Sequence, residues 1–397
     1  MKPPEPALAR SVLAVARSRI RELADIAMSM NNVLRLYFGE SNVSTPQYIK
    51  DAAGRALEEG YTFYTENAGL PSLRKAIAEK YGELHGVLPD PTREVVVTAS
   101  GVQALHVAIR CVLDPGDEAI VLTPAWPNGS AIVAMCSARA VELPLVLSGG
   151  RYRIDFEALE TAAGPRTRLL IYTSPSNPLG WVASESDQER LLAFCRHRGI
   201  WLLADEVYER LYYTGHVAPS ILRLCNRDDA VIVVNSFSKT YCMTGWRLGW
   251  LVSRADHALK ATQLNEFIVS HAPSMAQKAA ETALRDGEAI LRGMVDRLRE
   301  NRDFLTAAMR QMPGVTVPRA DGAFYLFPAI EGITDSFEFC RRLLLEERVG
   351  IAPGVAFGAG GEGSVRLCYA ADMSVLEPAA ERIAAFLRRH ASLMAGP

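Results

Sequence analysis

AVIVVNSFSKTYCMTGWRLGWLV (230–252) holds two short apolar runs, AVIVV (230–234) and LGWLV (248–252), with a lysine and an arginine between them. Valine-rich runs of this length, apolar at successive positions, read as strands buried on both faces. The segment joining them is too short for a full helical crossover, so the second run is expected to be antiparallel to the first. The same texture continues outward toward the N-terminus. EVVVT (94–98), EAIVL (118–122), RLLIY (168–172) and IWLLA (200–204) are further runs, and helix-length stretches such as VQALHVAIRCVL (102–113) and SDQERLLAFCRHRG (186–199) lie between several of them. Alternation of this kind implies an α/β domain with a mainly parallel sheet covered by helices on both sides.

Beyond residue 255 the texture changes. Ile290, Met294 and Leu298 recur every four residues, as do Leu305 and Met309, which predicts a long helix able to bridge two domains. VTVP (315–318), AFYLF (323–327) and SVRLCYA (364–370) read as strands, and LEPAAERIAAFLRRH (376–390) as a terminal helix. The expected division is an N-terminal segment (1–50) packing on a smaller α+β domain (291–397), with a large domain (51–290) between them.

The 397 residues suffice for roughly two or three structural domains. Lys and Arg number 43 against 45 Asp and Glu, so no overall charge draws the chain to nucleic acid or an acidic membrane. Cysteines at 111, 136, 195, 225, 242, 340 and 368 include no CxxC, and no HxxxH occurs, so no metal site is expected. Their odd number and wide spacing suit reduced thiols in the cytoplasm. The first thirty residues are interrupted by Arg and Glu and lack the apolar core of a signal peptide.

In open parallel sheets, ligands bind beyond the carboxyl ends of the strands, so the residues following each run carry the functional reading. After EVVVT come Ser100, Gly101 and Val102 at a helix start, where backbone N–H groups and the helix dipole suit a phosphate; Ser100 is equally suited to a plain N-cap. After EAIVL, Trp126 on a proline-fixed turn is placed to stack on a flat ring or to fill core. After RLLIY, SPSNPLG (174–180) forms a stiff turn that offers Asn177, and the Asn177–Pro178 bond is expected to be cis. After IWLLA, Asp205 ends a buried strand and needs a cation, from the protein or a ligand. After AVIVV, Lys239 lies among small hydroxyls, and a lysine in a closed pocket becomes a nucleophile toward carbonyls. Arg247 offers a planar fork for phosphate. Gly358-Ala-Gly-Gly-Glu-Gly363 matches GxGxxG but precedes a strand, which removes the context a dinucleotide needs.

A phosphate cradle, a ring stacker, a carboxylate and a nucleophilic lysine together suit pyridoxal 5'-phosphate, whose ring nitrogen needs an acid to keep it protonated. In consistent order from about Leu36 to Ala370, the sequence resembles the fold-type I, class I/II aminotransferases related to aspartate aminotransferase. The resemblance is carried by YTENAGLPSLR (64–74), TPAW (123–126), SPSNPLG (174–180), ADEVYERL (204–211), SFSKTYCMTGWRLGW (236–250), GAFYLF (322–327) and VRLCYA (365–370).

The resemblance implies a seven-stranded sheet and a pyridoxal-phosphate enzyme moving an amino group between an amino acid and a 2-oxo acid by a ping-pong mechanism. It implies that Lys239 forms the internal aldimine and shuttles the proton. Asp205 would pair with the ring nitrogen, Asn177 and Tyr208 with the phenolic oxygen, and Trp126 would stack on the ring. Ser100, Gly101, Val102, Ser236, Ser238 and Arg247 would surround the phosphate, and Tyr64 would reach the phosphate of the other subunit of a homodimer. Arg366 would grip the substrate α-carboxylate, with Gly39 close by. Two positions depart from the family pattern: its GEPDF-like segment reads Gly39-Glu-Ser-Asn-Val, and its NPTG reads NPLG. Alternatives on the same fold are a β-lyase of the cysteine-conjugate type and a non-catalytic pyridoxal-phosphate-binding regulator domain. Basic runs such as RHR (196–198) and RLRENR (297–302) read as solvated helix faces, not as nucleic-acid contacts.

Overall fold

The computed structural model describes residues 7–390, so both ends of the expected 1–50 and 291–397 ranges reach outside the described residues. Its centre is a seven-stranded sheet of β1 (Val95–Thr98), β2 (Glu118–Thr123), β3 (Arg139–Pro144), β4 (Thr167–Thr173), β5 (Trp201–Asp205), β6 (Val231–Ser236) and β7 (Gly249–Ser253). The strand order is β1-β7-β6-β5-β4-β2-β3. β7 runs antiparallel to both neighbours, as the short connection from β6 requires, and the other pairings are parallel. Along β2, Ile120 and Leu122 join one apolar layer while Ala119 and Val121 join the other. Both faces are therefore covered, which is why these strands read as unbroken apolar runs.

Six of the seven strands correspond to such runs. The seventh, β3, is RAVELP at the sheet edge; it is exposed or half-buried along its length, and Arg139 and Glu142 interrupt its apolar residues. An edge strand needs no continuous apolar signal.

The helices that matter for the site are α1 (Arg19–Met28), α2 (Pro71–His85), α3 (Gly101–Arg110), α4 (Glu185–Arg198), α5 (Glu288–Arg310) and α6 (Met373–Arg389). α4 has the start and stop its sequence dictates. Ser184 and Asp187 form a reciprocal capping box, and Gly199 ends the helix in the left-handed region at φ 66°. α5 spans about 34 Å at 1.5 Å per residue. Its buried face runs through Leu291, Met294, Leu298, Leu305 and Met309, whereas Ile290 is exposed, so the apolar seam begins one residue later than the four-residue spacing suggests. Pro378 is accommodated within α6.

The N-terminal segment joins the C-terminal part of the chain. Leu34–Arg35 pairs in parallel with Val349–Gly350, and the Cys368 N–H donates to the Leu36 carbonyl at 3.0 Å. α1 buries Ile20, Leu23, Ala24 and Ala27. Among the described residues, no helix is long and apolar enough to cross a membrane, and no group of three or more His, Cys, Asp or Glu side chains is placed to hold a metal. The seven cysteines are all free thiols.

Candidate active site

The carboxyl ends of β1, β4, β5 and β6 open onto a cleft of about 810 Å³. Gly39, Gly101, Val102, Trp126, Asn177, Asp205, Tyr208, Ser236, Ser238, Lys239 and Arg247 all line it. Residues spread over more than two hundred positions thus meet in one place. The Asn177–Pro178 bond is cis, as the turn sequence predicts, and so are Thr123–Pro124 and Ser174–Pro175.

The phosphate-suited end is built from two turns in close contact. Ser236 Oγ lies 2.9 Å from Ser238 Oγ and accepts the Ser238 N–H at 3.1 Å. α3 begins beside them at Gly101. A Cβ on Gly249 would strike the Gly101 nitrogen and come within 2.7 Å of the Ser100 carbonyl carbon, so only glycine lets the turns approach this closely. Ser100 is held at φ 118° and Arg247 at φ 52°, both positive values that ordinary side chains avoid. Such strain is maintained where surrounding structure imposes it, commonly at binding sites. The exposed Arg247 makes one hydrogen bond, to the Thr244 carbonyl at 2.6 Å, and pairs with no carboxylate among the described residues.

Lys239 extends into the cleft and donates from Nζ to the Gly39 carbonyl at 2.6 Å. Loss of hydration pushes its pKa down to about 8, and Arg366 and Arg247 act in the same direction against Cys368 and Glu40. Asp205 is pushed up to about 6 by burial, opposed by the Val207 N–H, which donates to it at 3.3 Å, and by the charge of Lys239. The Tyr208 hydroxyl is 2.7 Å from that of Tyr325, and burial raises its pKa well beyond the ordinary phenol value. A Cβ on Gly39 would collide with the same Tyr325 hydroxyl.

Three expected residues lie elsewhere. Ser100 spends its hydroxyl as an N-cap, accepting the Gln103 N–H at 3.1 Å, and it contributes to the cleft through the turn it forms. Arg366 is fully buried behind the wall. It donates from Nη1 to Asn177 Oδ1 at 3.0 Å and from Nη2 to the Tyr37 carbonyl, while its Nε has no partner. Tyr64 is 90% exposed, outside the cleft and edge-on to His271. The cleft also contains residues that the motifs did not single out. Glu40 accepts from the Thr244 hydroxyl, Tyr325 sits inside the quoted GAFYLF, and Arg17 and Arg21 come from an N-terminal stretch that carried no motif.

The competing signals resolve by context. Gly358–Gly363 connects a one-turn helix (Gly354–Phe357) to the strand Val365–Cys368, so no helix opens after it. RHR lies in the last turn of α4, where Arg196 pairs with Asp229 and Arg198 with Glu160.

Pyridoxal 5'-phosphate fits the donor set. Two hydroxyls, a guanidinium with no carboxylate partner among the described residues and a glycine-lined helix start suit its phosphate, a carboxylate without an ion-pair partner suits its ring nitrogen, and a lysine with a depressed pKa suits its aldehyde.

The sequence pattern of the family described as aminotransferase class I and II matches residues 31–383. The chain is 35% identical over 379 residues to an aspartate aminotransferase of Pyrococcus horikoshii, covering 95% of this chain and 96% of that protein. It is 33% identical over 386 residues to aromatic-amino-acid aminotransferase 2 of Thermococcus litoralis, covering 96% and 98% respectively. The solved structure of a single mutant of Thermus thermophilus aspartate aminotransferase superposes with a TM-score of 0.90 at 32% identity, covering 96% of this chain and all of that one. The chain accordingly belongs to the class I and II aminotransferase family: it is a pyridoxal 5'-phosphate-dependent enzyme that exchanges an amino group between an amino acid and a 2-oxo acid.

Proposed function

We propose that Lys239 is the residue that carries out the proton transfer in this exchange. The supporting observation is that its Nζ reaches into the cleft with its ammonium form disfavoured, so a basic amine is available near neutral pH. Pyridoxal 5'-phosphate bound there supplies an aldehyde that condenses with amines and a ring that withdraws electrons from the substrate. Lys239 Nζ would take up the proton released by the substrate Cα and deliver it to the carbon that the cofactor contributes as its aldehyde, so the proton moves from one carbon to the other. Asp205 holds a carboxylate where the ring nitrogen is to be kept protonated, and its raised pKa reflects how much it gains from a cationic partner. Asn177 and Tyr208 orient the ring's phenolic oxygen, and Trp126 covers its face. Gly101, Val102, Ser236, Ser238 and Arg247 hold the phosphate, with Ser100 fixing the turn.

Arg366 binds the substrate α-carboxylate beside Gly39. Its unpartnered Nε and its contact with Asn177 support this role. Tyr64 belongs to the neighbouring site of a homodimer; its 90% exposure, with Phe63 at 80% and Phe267 at 87%, supports a surface meant to be covered. The division into 1–50, 51–290 and 291–397 is supported by the pairing of Leu34–Arg35 with Val349–Gly350. The free thiols suit the cytoplasm. Borohydride treatment of the holoenzyme, followed by peptide mass mapping, should place the fixed cofactor on Lys239, and Lys239→Ala should abolish both the label and transamination. A label on another lysine, or turnover near the wild-type rate, would refute the assignment.

A further inference from the structure

Two residues behind the cleft wall are joined in a way that the chemistry above does not use. Glu209 directly follows Tyr208, and Asn235 directly precedes Ser236 at the end of β6. Neither lines the cleft, and both are buried. A buried amide and a buried carboxylate are costly unless their polar atoms find partners.

The Ser236 N–H donates to Asn235 Oδ1 at 2.7 Å. A backbone N–H can only donate, so it fixes which end of the amide faces it. Nδ2 is thereby turned the other way, where it donates to Glu209 Oε1 at 2.8 Å. The second carboxylate oxygen, Oε2, lies 3.0 Å from Nε2 of His85, the last residue of α2. Burial pulls the His85 pKa down, but the hydrogen bond and charge of Glu209 outweigh it and hold the imidazole above its ordinary value. A line of contacts therefore runs from α2 through Glu209 and Asn235 to the backbone of Ser236. Ser236 Oγ in turn accepts the Ser238 N–H. The Asn235 carbonyl oxygen lies 2.8 Å from the place a Cβ on Gly249 would take, so the same residue belongs to the tight contact between the two turns.

We propose that Glu209 is a positioning residue for the cofactor's phosphate: by holding the Asn235 side chain it fixes the Ser236 N–H, and with it the Ser236–Ser238 turn that offers the phosphate two hydroxyls. The proposal rests on the reading of that turn as the phosphate end of the cleft. Glu209 itself touches neither cofactor nor substrate. Because it lies one residue beyond Tyr208, it also ties the segment that carries Asp205 and Tyr208 to the one that carries Ser236 and Lys239.

The test compares the binding of pyridoxal 5'-phosphate with that of pyridoxal, which lacks the phosphate, to the full chain freed of cofactor, followed by absorbance. Asn235→Asp keeps an acceptor for the Ser236 N–H but sets a second carboxylate against Glu209. It should raise the pyridoxal 5'-phosphate Kd about tenfold, the scale of a hydrogen bond to a charged group, and move the pyridoxal Kd less than about twofold. Adding Glu209→Gln exchanges amide and carboxylate: the new amide donates to the new carboxylate, and its oxygen still accepts from His85 Nε2. The double variant should recover most of the loss. Glu209→Gln alone should raise the ratio of the two Kd values about threefold, because one amide oxygen cannot accept from both Asn235 and His85. A purely structural brace would lower the thermal midpoint and weaken both ligands alike. Equal losses for the two ligands, a double variant no better than Asn235→Asp, or an unchanged ratio in Glu209→Gln would overturn the role, and the last decides it if Asn235→Asp does not fold. Wild-type protein that binds both ligands equally would overturn the phosphate reading of Ser236 and Ser238, and this role with it. Phosphate-selective binding that every variant keeps would overturn the role of Glu209 alone.

Discussion

The depressed pKa of Lys239 makes a quantitative prediction about how the cofactor-free protein captures pyridoxal 5'-phosphate. The attacking species is the free amine. An unperturbed lysine near pKa 10.4 is amine in only about one molecule in 2,500 at about pH 7. With its pKa at about 8, Lys239 is amine in about one molecule in ten at the same pH. The capture rate should rise about tenfold per pH unit below about pH 7.5 and level off above about pH 8.5, whereas a simple amine keeps gaining until near pH 10. The cofactor ionises over the same range, so the enzyme's rate is best divided by that of a small blocked lysine in the same buffers, measured by stopped-flow absorbance. The ratio should be largest at low pH and collapse toward alkaline pH, and Lys239→Ala should show no saturating phase. A flat ratio would mean that Lys239 is hydrated like any surface amine and that its pKa is not depressed. The sign for stability follows from the same shift. Between about pH 8 and about pH 10.4 the unfolded chain holds a proton at this site that the folded chain has released, so this group makes folding more favourable as pH rises through that window.

Further substitutions test other parts of the site. Arg366→Ala should raise the amino acid KM by about 10- to 100-fold while changing kcat less, since it removes a charge-assisted grip on the substrate; an unchanged KM would reassign this arginine. Gly249→Ala forces a methyl group between two packed turns and should cost about 1–3 kcal/mol, read as a lower thermal midpoint with weakened protection by inorganic phosphate. A variant with the wild-type midpoint and full phosphate protection would show the contact is not tight. Tyr64→Ala and Lys239→Ala chains, each impaired alone, should recover about a quarter of wild-type activity when unfolded, mixed and refolded, because half the random dimers hold one intact site of two. No recovery would place Tyr64 outside the neighbouring site.

What was legible in the sequence depended on which physical demand each residue meets. The central strands are buried on both faces, and AVIVV and RLLIY declare that burial directly. β3 escaped because one edge strand can carry Arg139 and Glu142 without cost, leaving no apolar run to read. Asp205, Asn177 and Lys239 could be found as cleft residues because they lie at or within a few residues of the carboxyl ends of buried strands, the edge where ligands bind. Arg17 and Arg21 could not: nothing local distinguishes them from Arg19, which turns to Glu22, and only the docking of α1 through Ile20 and Leu23 brings them to the cleft. Ser100 is a different case, in which the N-cap is the reading the structure displays. Its hydroxyl caps α3, and its strained backbone sets the turn beside Gly249.

The segment from Tyr37 to Glu40 explains why the site needs distant parts of the chain together. Arg366 from the C-terminal part donates to the Tyr37 carbonyl, Lys239 from the central sheet donates to the Gly39 carbonyl, and Thr244 donates to the Glu40 carboxylate. The Asn42 N–H reaches the Ala370 carbonyl at 3.1 Å. A short strand of backbone is thereby held from both sides, and none of those contacts uses the side chain of a residue that differs from the family's usual segment. Serine, asparagine and valine at 41–43 can replace the expected proline-containing sequence because what the site takes from this stretch is mainly carbonyl groups and the absence of a Cβ at Gly39. Ser41 adds one side-chain contact, its hydroxyl accepting the Val43 N–H at 3.2 Å, and that contact stays within the segment and reaches neither Lys239 nor Arg366.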